Sequence, residues 1–242
     1  MGLLDFLGGG KGPAKAQKLK AKVTQKYGDP TVRQKALQQL GEMKTPEALA
    51  VLLSRFTIHV EPQTTDADEK EQVFAHITAM GKDAVPPTLA FLQRTDVASS
   101  WAIRVLQAVL PEPEVVGLVT DYLTKLGPEY MRNPEKKLVC MNYLEGKADP
   151  RIAPSVAPLL EDTADDVKIG AAKVLGPLKY EPAREPMLKL LTGEETARRV
   201  QTAVLQALHE SELGIQGYRE KVEKLLVEPY FLDKNGLVKR RG

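Results

Sequence analysis

The chain of 242 residues is poor in cysteine and in aromatic side chains, and both shortages restrict its fold. Its one cysteine, Cys140, excludes an intrachain disulfide and a zinc site built on a cysteine cluster. Aromatic residues make up only 5% of the chain, so the core has to be built from Leu, Val, Ala and Ile. Because Ala and Leu favour helices whereas aromatic and β-branched residues favour strands, this composition indicates an all-α protein.

Long apolar runs and motifs of known chemistry are lacking as well. No stretch approaches the roughly 18 apolar residues that cross a membrane as a helix, and in residues 1–12 the basic residues follow the apolar cluster, unlike a secretory signal. The histidines at 59, 76 and 209 are too far apart in sequence for a helical zinc motif. Neither a phosphate-binding loop nor a nucleophile elbow occurs. We therefore expect a cytoplasmic protein that is not an enzyme and uses no cofactor or metal.

A helical pattern recurs along the sequence. Two segments, starting at Asp29 and Ala164, each carry Val, Ala and Leu at intervals of four residues, which is the apolar stripe of a helix. A glycine follows each stripe and suits the left-handed position that ends a helix. Cys140 occupies the position of the central alanine in a similar segment, so we expect it to be a small core residue. The residues that we expect to be buried between layers are Val32, Ala36, Leu40, Val167, Ala171 and Leu175.

Residues 149–176 follow the pattern D-P-R-x-x-P-x-x-x-x-L-L-x-D-x-x-x-x-V-K-x-x-A-A-x-x-L-G. This pattern resembles the HEAT-like repeat, of the variety first named from phycobilisome-lyase subunits. Residues 29–56 share much of it, and four further segments share its helix–turn–helix topology. The resemblance implies an all-α fold, an α-solenoid of about six stacked antiparallel helix pairs like the HEAT or armadillo superhelix. It implies no particular activity.

Both ends of the chain are basic and differ from the repeats. Residues 1–27 contain six lysines and one aspartate, and the middle of the chain is mildly acidic. The acidic insertion lies at one edge of the stack and is a candidate for partner contact, although the sequence favours a solvated loop. The predicted organisation is an apolar tether at 1–13, an α-solenoid over 14–232 that starts with a basic capping helix at 14–27 and carries an acidic insertion at 57–70, and a basic tail at 233–242.

On a helix, the lysines of residues 14–27 form a stripe beside an apolar one. Either the apolar stripe docks on the first repeat while the lysines meet an anionic surface, or the segment is a solvated capping helix. Both interpretations remain open from the sequence. The lysine stripe comprises Lys15, Lys18, Lys22 and Lys26, and the apolar stripe comprises Ala16, Leu19, Val23 and Tyr27.

Because no catalytic constellation is present, the sequence favours a non-enzymatic, monomeric scaffold or adaptor that binds another protein. The second helix of each pair is expected to line the concave face, which makes Arg55, Arg94 and Lys125 candidate contacts. The apolar side chains of the tether either insert into a partner's groove or fold back on their own stack. Those side chains are Leu3, Leu4, Phe6 and Leu7.

Two alternatives remain from the sequence. The basic ends could bind a nucleic acid or an anionic membrane surface, and phosphate binding of that kind would weaken steeply as salt rises. The name of the repeat also suggests a chromophore-lyase-like subunit, which would co-purify with a coloured tetrapyrrole.

Overall fold

The fold is given by a computed structural model, which describes the chain from residue 11 to residue 241 and its side chains from Pro13 onward. The candidate docking residues Leu3, Leu4, Phe6 and Leu7, with most of the predicted tether, lie outside the described residues. Within the described range, no helix is both long and apolar enough to cross a membrane.

The described part of the chain contains thirteen α-helices and one small antiparallel sheet, with short 3₁₀ turns between them. After α1, the helices follow one another in six pairs, from α2 and α3 to α12 and α13. The helices are α1 (Lys11–Val23), α2 (Pro30–Met43), α3 (Pro46–Leu53), α4 (Gln63–Thr78), α5 (Val85–Arg94), α6 (Ser99–Val109), α7 (Glu112–Leu126), α8 (Glu135–Leu144), α9 (Ile152–Val156), α10 (Asp165–Leu175), α11 (Arg184–Thr192), α12 (Arg198–Ser211) and α13 (Arg219–Leu225), and the strands are β1 (Tyr230–Leu232) and β2 (Val238–Arg240).

The predicted fold class is confirmed: the chain is an all-α protein of the α-solenoid type, built from six antiparallel helix pairs. Equivalent helices of successive pairs pack side by side. In the first part of the chain α1 packs on α3 and α3 on α5, and in the second part α8 packs on α10 and α10 on α12. This neighbour-to-neighbour packing is what distinguishes a helical repeat from a bundle around one core.

The chain divides into two compact units, and each is described by itself. Unit 1 ends at Val115 and unit 2 begins at Val116, so the boundary falls within α7. Leu37, Leu52 and Ile77 are fully buried in unit 1, and Val167 and Leu205 are fully buried in unit 2. Because aromatic residues are few, the core is built mainly from aliphatic side chains, as the composition predicts.

Five of the six predicted core residues are buried, and Val32 is the exception. Ala36, Leu40, Val167, Ala171 and Leu175 are at most 2% exposed, whereas Val32 is 39% exposed. The reason lies in the next residue: Arg33 turns inward from the first part of α2, and its Nε donates to Glu69 at 2.7 Å. An ion pair therefore takes the inward position that the apolar pattern assigned to valine.

The two glycines expected to end helices have a different role. Gly41 lies within α2, and Gly176 has φ −48°, so neither is the left-handed residue; Lys44 and Lys179 are. A Cβ on Gly41 would stand 2.3 Å from Nδ1 of His76, and one on Gly176 would stand 3.2 Å from the Cα of Ala207. Both glycines are thus required where a neighbouring helix comes close.

Two predicted irregular segments are partly regular. In the predicted insertion at 57–70, α4 begins at Gln63, and Asp66, Glu69 and Lys70 are buried. The prediction of a solvated loop is wrong there because these charges pair with one another and with arginines inside unit 1. At the other end, the predicted tail contributes β2, which pairs with β1 in the register Tyr230↔Arg240.

Candidate ligand-binding groove in unit 1

Three helices of unit 1 line a groove with a volume of about 700 Å³. The helices are α1, α3 and α5, and α3 packs against both of the others. Because successive helices are antiparallel, these three run in the same direction. Equivalent positions on them therefore stand at the same end of the groove.

The groove is built from one helical face used three times. An alanine lies at its centre on each helix: Ala16, Ala50 and Ala90. Residues three before, one after and four after each alanine also line the groove, as expected for neighbours on one helical face. These are Pro13, Gln17 and Lys20 from α1, Glu47, Val51 and Ser54 from α3 and the turn after it, and Pro87, Phe91 and Arg94 from α5.

The floor of the groove is apolar and made of small side chains. Alanine at all three central positions leaves space that a larger residue would fill. Val51 and Phe91 flank the alanines and are only 5% and 8% exposed, so they present the edges of buried side chains. An apolar body laid on this floor would displace water from apolar surface.

Positive charge is concentrated at one end of the groove. Lys20 and Arg94 occupy the position four residues after the central alanine, and both are exposed. At the opposite end the equivalent positions hold Pro13, Glu47 and Pro87. Within the described residues, neither Lys20 nor Arg94 forms an ion pair with a carboxylate. The cationic end can therefore accept a negatively charged group.

The hydroxyl groups of the groove already use their protons. Thr24 donates to the carbonyl of Lys20 at 2.9 Å, Thr57 to that of Ser54 at 2.8 Å, and Thr95 to that of Phe91 at 2.9 Å. Their oxygens are left as acceptors. An anion in the groove consequently depends on the Lys20 ammonium and the Arg94 guanidinium for its charged donors.

The predicted site residues fall in different places. Arg94 lines the groove, whereas Lys125 is exposed at the end of α7 in unit 2. The side chains of Lys15, Lys18 and Lys22 are exposed on α1 outside the groove lining.

The end of the predicted basic helix also differs from the structure. Because α1 ends at Val23, Lys26 lies beyond it, with its Nζ 5.5 Å from the centre of the Tyr27 ring. Tyr27 is 79% exposed and does not extend the apolar stripe, although Ala16, Leu19 and Val23 are buried.

Arg55 is not available to a partner, because its side chain is completely buried. Its Nε donates to Glu69 at 2.8 Å and its Nη2 to Asp66 at 2.7 Å. Lys70 donates to the other oxygen of Asp66 at 2.6 Å. Burial raises the pKa of Asp66, but the hydrogen bonds from Lys70 and Arg55 outweigh it and lower the pKa to about 2. With Arg33, these residues form a buried ion cluster that links α2, α4 and the turn after α3.

Sequence reasoning missed Lys20 and the three central alanines. The recurrence of alanine followed four residues later by a polar or charged side chain is present in the sequence at 16, 50 and 90. It becomes visible only when α1 and α5 are aligned with α3. The α5 segment matches the repeat motif in topology rather than in residues, and the sequence predicts α1 as a capping helix outside the repeats.

Cys140 and Trp101, whose side chains could serve in chemistry or binding, are held by packing in this fold. Cys140 is buried, and this burial raises the pKa of its thiol to about 12. The Trp101 ring stacks on Phe56 with 4.6 Å between ring centroids, and the guanidinium of Arg104 lies 4.8 Å from its centroid. Over residues 13–241, no group of three or more His, Cys, Asp or Glu side chains is placed to hold a metal ion.

Comparison with known proteins gives one structural likeness. No family model matches the chain, and no curated protein matches it in sequence. The solved structure of human deoxyhypusine hydroxylase in complex with glycerol is similar over 90% of this chain and 97% of that chain, with 16% sequence identity and a TM-score of 0.36.

This likeness corrects the functional prediction. The matched protein is named as an enzyme, so the prediction of a non-enzymatic scaffold is wrong on this comparison, and so is the expectation that the chain is not an enzyme. At 16% identity and a TM-score of 0.36, the likeness transfers no activity or catalytic residue to this chain. The function has to be argued from the groove itself.

Proposed function

We propose that unit 1 binds a small amphipathic anion in the groove between α1, α3 and α5. The ligand has an apolar body and one negatively charged group, such as a carboxylate, sulfonate or phosphate. The observation that carries this proposal is the threefold use of one helical face, with alanine at the centre and cations at one end.

The size and lining of the groove agree with a small-molecule ligand. Its volume of about 700 Å³ lies within the roughly 300–1,000 Å³ typical of such sites. Most of the exposed surface of the lining is apolar, although eight of its fifteen residues are polar or charged. Apolar surface of this kind supplies affinity, and polar groups fix the orientation of a ligand. Each Å² of apolar ligand surface removed from water contributes about 25 cal/mol.

The cations are needed because of where they stand on their helices. Lys20 and Arg94 lie in the last turns of α1 and α5, where unpaired backbone carbonyls carry partial negative charge. An anion placed there without compensation is repelled. Arg94 can also hold an oxyanion through two parallel N–H donors, which a single ammonium cannot do.

Charge selectivity can be tested with two matched dyes. The first is 1-anilinonaphthalene-8-sulfonate, and the second is N-phenyl-1-naphthylamine, which has the same ring framework without the sulfonate. We expect Lys20→Glu and Arg94→Glu each to weaken sulfonate dye binding at least tenfold in a fluorescence titration and to change binding of the neutral dye little. Lys18→Glu is the matched control, since Lys18 is exposed on α1 outside the groove.

Occupation of the floor is tested separately. Ala50→Leu fills the central position of α3 and is expected to weaken the binding of both dyes. Ala108→Leu adds the same side chain at an exposed position of α6 away from the groove and is expected to leave both unchanged. Equal losses from Lys18→Glu and Lys20→Glu, or from the two alanine variants, would overturn the proposal.

We also infer that the helix pairs are of the HEAT-like variety. The support comes from unit 2, where Ala171 and Ala172 of the motif are fully buried. Asp162 of the motif accepts hydrogen bonds from the Ala164 backbone N–H at 2.8 Å and from the buried ammonium of Lys137. A cytoplasmic location stays a prediction from the sequence.

A further inference from the structure

The groove carries a negative charge at the end opposite to its cations. Glu47 lies three residues before the central Ala50, in the first turn of α3, and its side chain is exposed. Among the side chains of residues 13–241, Glu47 forms no ion pair with a basic group. Its full negative charge exceeds the positive charge of about one half that a helix N-terminus carries. This end of the groove can therefore accept a cationic group.

The two charged ends stand at a defined separation. Ser54 follows Glu47 by seven residues and lies at the level of Lys20 and Arg94. At a rise of about 1.5 Å per residue, the two ends are about 10 Å apart along the helix axis. Because α1, α3 and α5 run in the same direction, their side chains lean the same way, which preserves this separation. Three residues of an extended peptide span about 10 Å.

The cationic end also presents acceptors that an anionic group cannot use. The hydroxyl side chains of the lining, Thr24, Ser54, Thr57 and Thr95, all lie at this end, at least four residues after the central alanine of their helix. Ser54 donates its proton to the carbonyl of Val51 at 2.5 Å, and each threonine donates to a backbone carbonyl as well. Their oxygens therefore favour a ligand with an N–H donor next to its negative group. A peptide has this arrangement, since its last amide nitrogen is two bonds from the carboxylate carbon.

We propose that the ligand of the groove is a short apolar peptide of about three residues with both ends free. This inference rests on the proposed function and names the class of amphipathic anion. The carboxylate pairs with Lys20 and Arg94, and the terminal ammonium pairs with Glu47. An extended peptide presents alternate side chains on one face, so apolar residues at its first and third positions can cover the alanine floor.

The role of each peptide end is measured with three matched peptides in a calorimetric titration of the full chain. The peptides are tri-leucine, its N-acetyl form, which lacks the ammonium, and its C-terminal amide, which lacks the carboxylate. Each end forms a charge-assisted hydrogen bond. We expect tri-leucine to bind at least tenfold more tightly than the amide and at least fivefold more tightly than the N-acetyl form. Equal affinity of all three, or no binding of tri-leucine at millimolar concentration, would overturn the inference.

The partner of the ammonium is identified with Glu47→Gln. We expect this variant to bind tri-leucine at least fivefold more weakly than the wild type and to bind N-acetyl-tri-leucine with unchanged affinity. Glu42→Gln removes the charge of an exposed glutamate of α2 outside the groove lining and should change neither affinity. If N-acetyl-tri-leucine binds as tightly as tri-leucine, the groove takes the carboxyl end of a longer chain, and a ligand with two free ends is wrong.

The sulfonate dye separates this inference from the proposed function. Failure of the peptides, while Arg94→Glu still weakens binding of 1-anilinonaphthalene-8-sulfonate, would overturn the peptide ligand and leave the anion site standing. Dye and peptide binding that neither Lys20→Glu nor Arg94→Glu changes would overturn the proposed function itself.

Discussion

The Nε of Arg55 lies 2.8 Å from Oε2 of Glu69, and neither side chain is exposed to solvent. The same carboxylate accepts a hydrogen bond from Arg33 at 2.7 Å. One glutamate of α4 therefore joins α2 to the turn after α3, across 36 and 14 residues of sequence. Removing one partner of a buried ion pair leaves a buried charge without compensation. The stability of the cluster is therefore most sensitive to changes at Glu69, which both arginines share.

Glu69→Gln keeps the shape of the side chain and removes its charge. We expect it to lower the free energy of unfolding by about 3–5 kcal/mol, because the Arg33 and Arg55 guanidinium groups remain buried with less negative charge beside them. Urea denaturation measures the change. Glu71→Gln is the control on the same helix: Glu71 pairs with exposed Arg104, and its loss should cost less than about 1 kcal/mol. Similar losses for both variants would contradict a special role for the buried cluster.

From the lowered pKa of Asp66 we predict that the free energy of unfolding falls in acid. Its pKa in the folded chain is about 2, against an ordinary value of 3.8. Since the folded-state pKa is lowered, the stabilisation by the ionised carboxylate is fully present above about pH 4 and is lost as pH falls toward 2. The stability difference between the wild type and Asp66→Asn, measured by urea denaturation, should therefore shrink over this interval. A difference that stays constant down to pH 2 would contradict the assignment.

The helix pairs could be predicted from the sequence because their signal is local. Val167, Ala171 and Leu175 recur at helical spacing, and all three are buried. The apolar pattern could not place Val32, since the competing inward residue, Arg33, finds its partner Glu69 far along the chain. Residues 57–70 resemble a solvated loop in sequence for the same reason. The charges at 66, 69 and 70 are buried, but the arginines that pair with them lie elsewhere in the chain and are not visible in the local pattern.

The groove could not be predicted from the sequence for a related reason. Lys20 is one of several lysines in α1, and nothing local distinguishes it from Lys18. Only the packing of α1 on α3, and of α3 on α5, brings Lys20 to the same end as Arg94. Membership of a site formed by three helices is thus a property of the stack, which local spacing does not encode.

Cys140 is expected to be inert in the folded chain. The thiolate is the reactive form, and burial raises the pKa of this thiol to about 12. At pH 8, a disulfide reagent such as dithiobis(nitrobenzoic acid) should label no thiol in the native protein and one thiol per chain in guanidinium chloride. Asn142→Cys, exposed two residues further along α8, is the positive control and should react at once. Rapid labelling of the native wild type would show that α8 opens readily.

Ala171 tests whether the repeat motif specifies close packing of α10. The residue is fully buried, and α10 packs on both α8 and α12. Ala171→Leu adds volume where no space is available, so we expect a loss of about 1–3 kcal/mol. That loss corresponds to a fall in Tm of roughly 2–4 °C per kcal/mol for a domain of this size. Lys173→Leu places the same side chain on the exposed face of α10 and should leave Tm nearly unchanged. If Ala171→Leu melts at the wild-type temperature, the small residues of the motif are not required for helix contact, and the spacing that predicts the repeat would need another physical explanation.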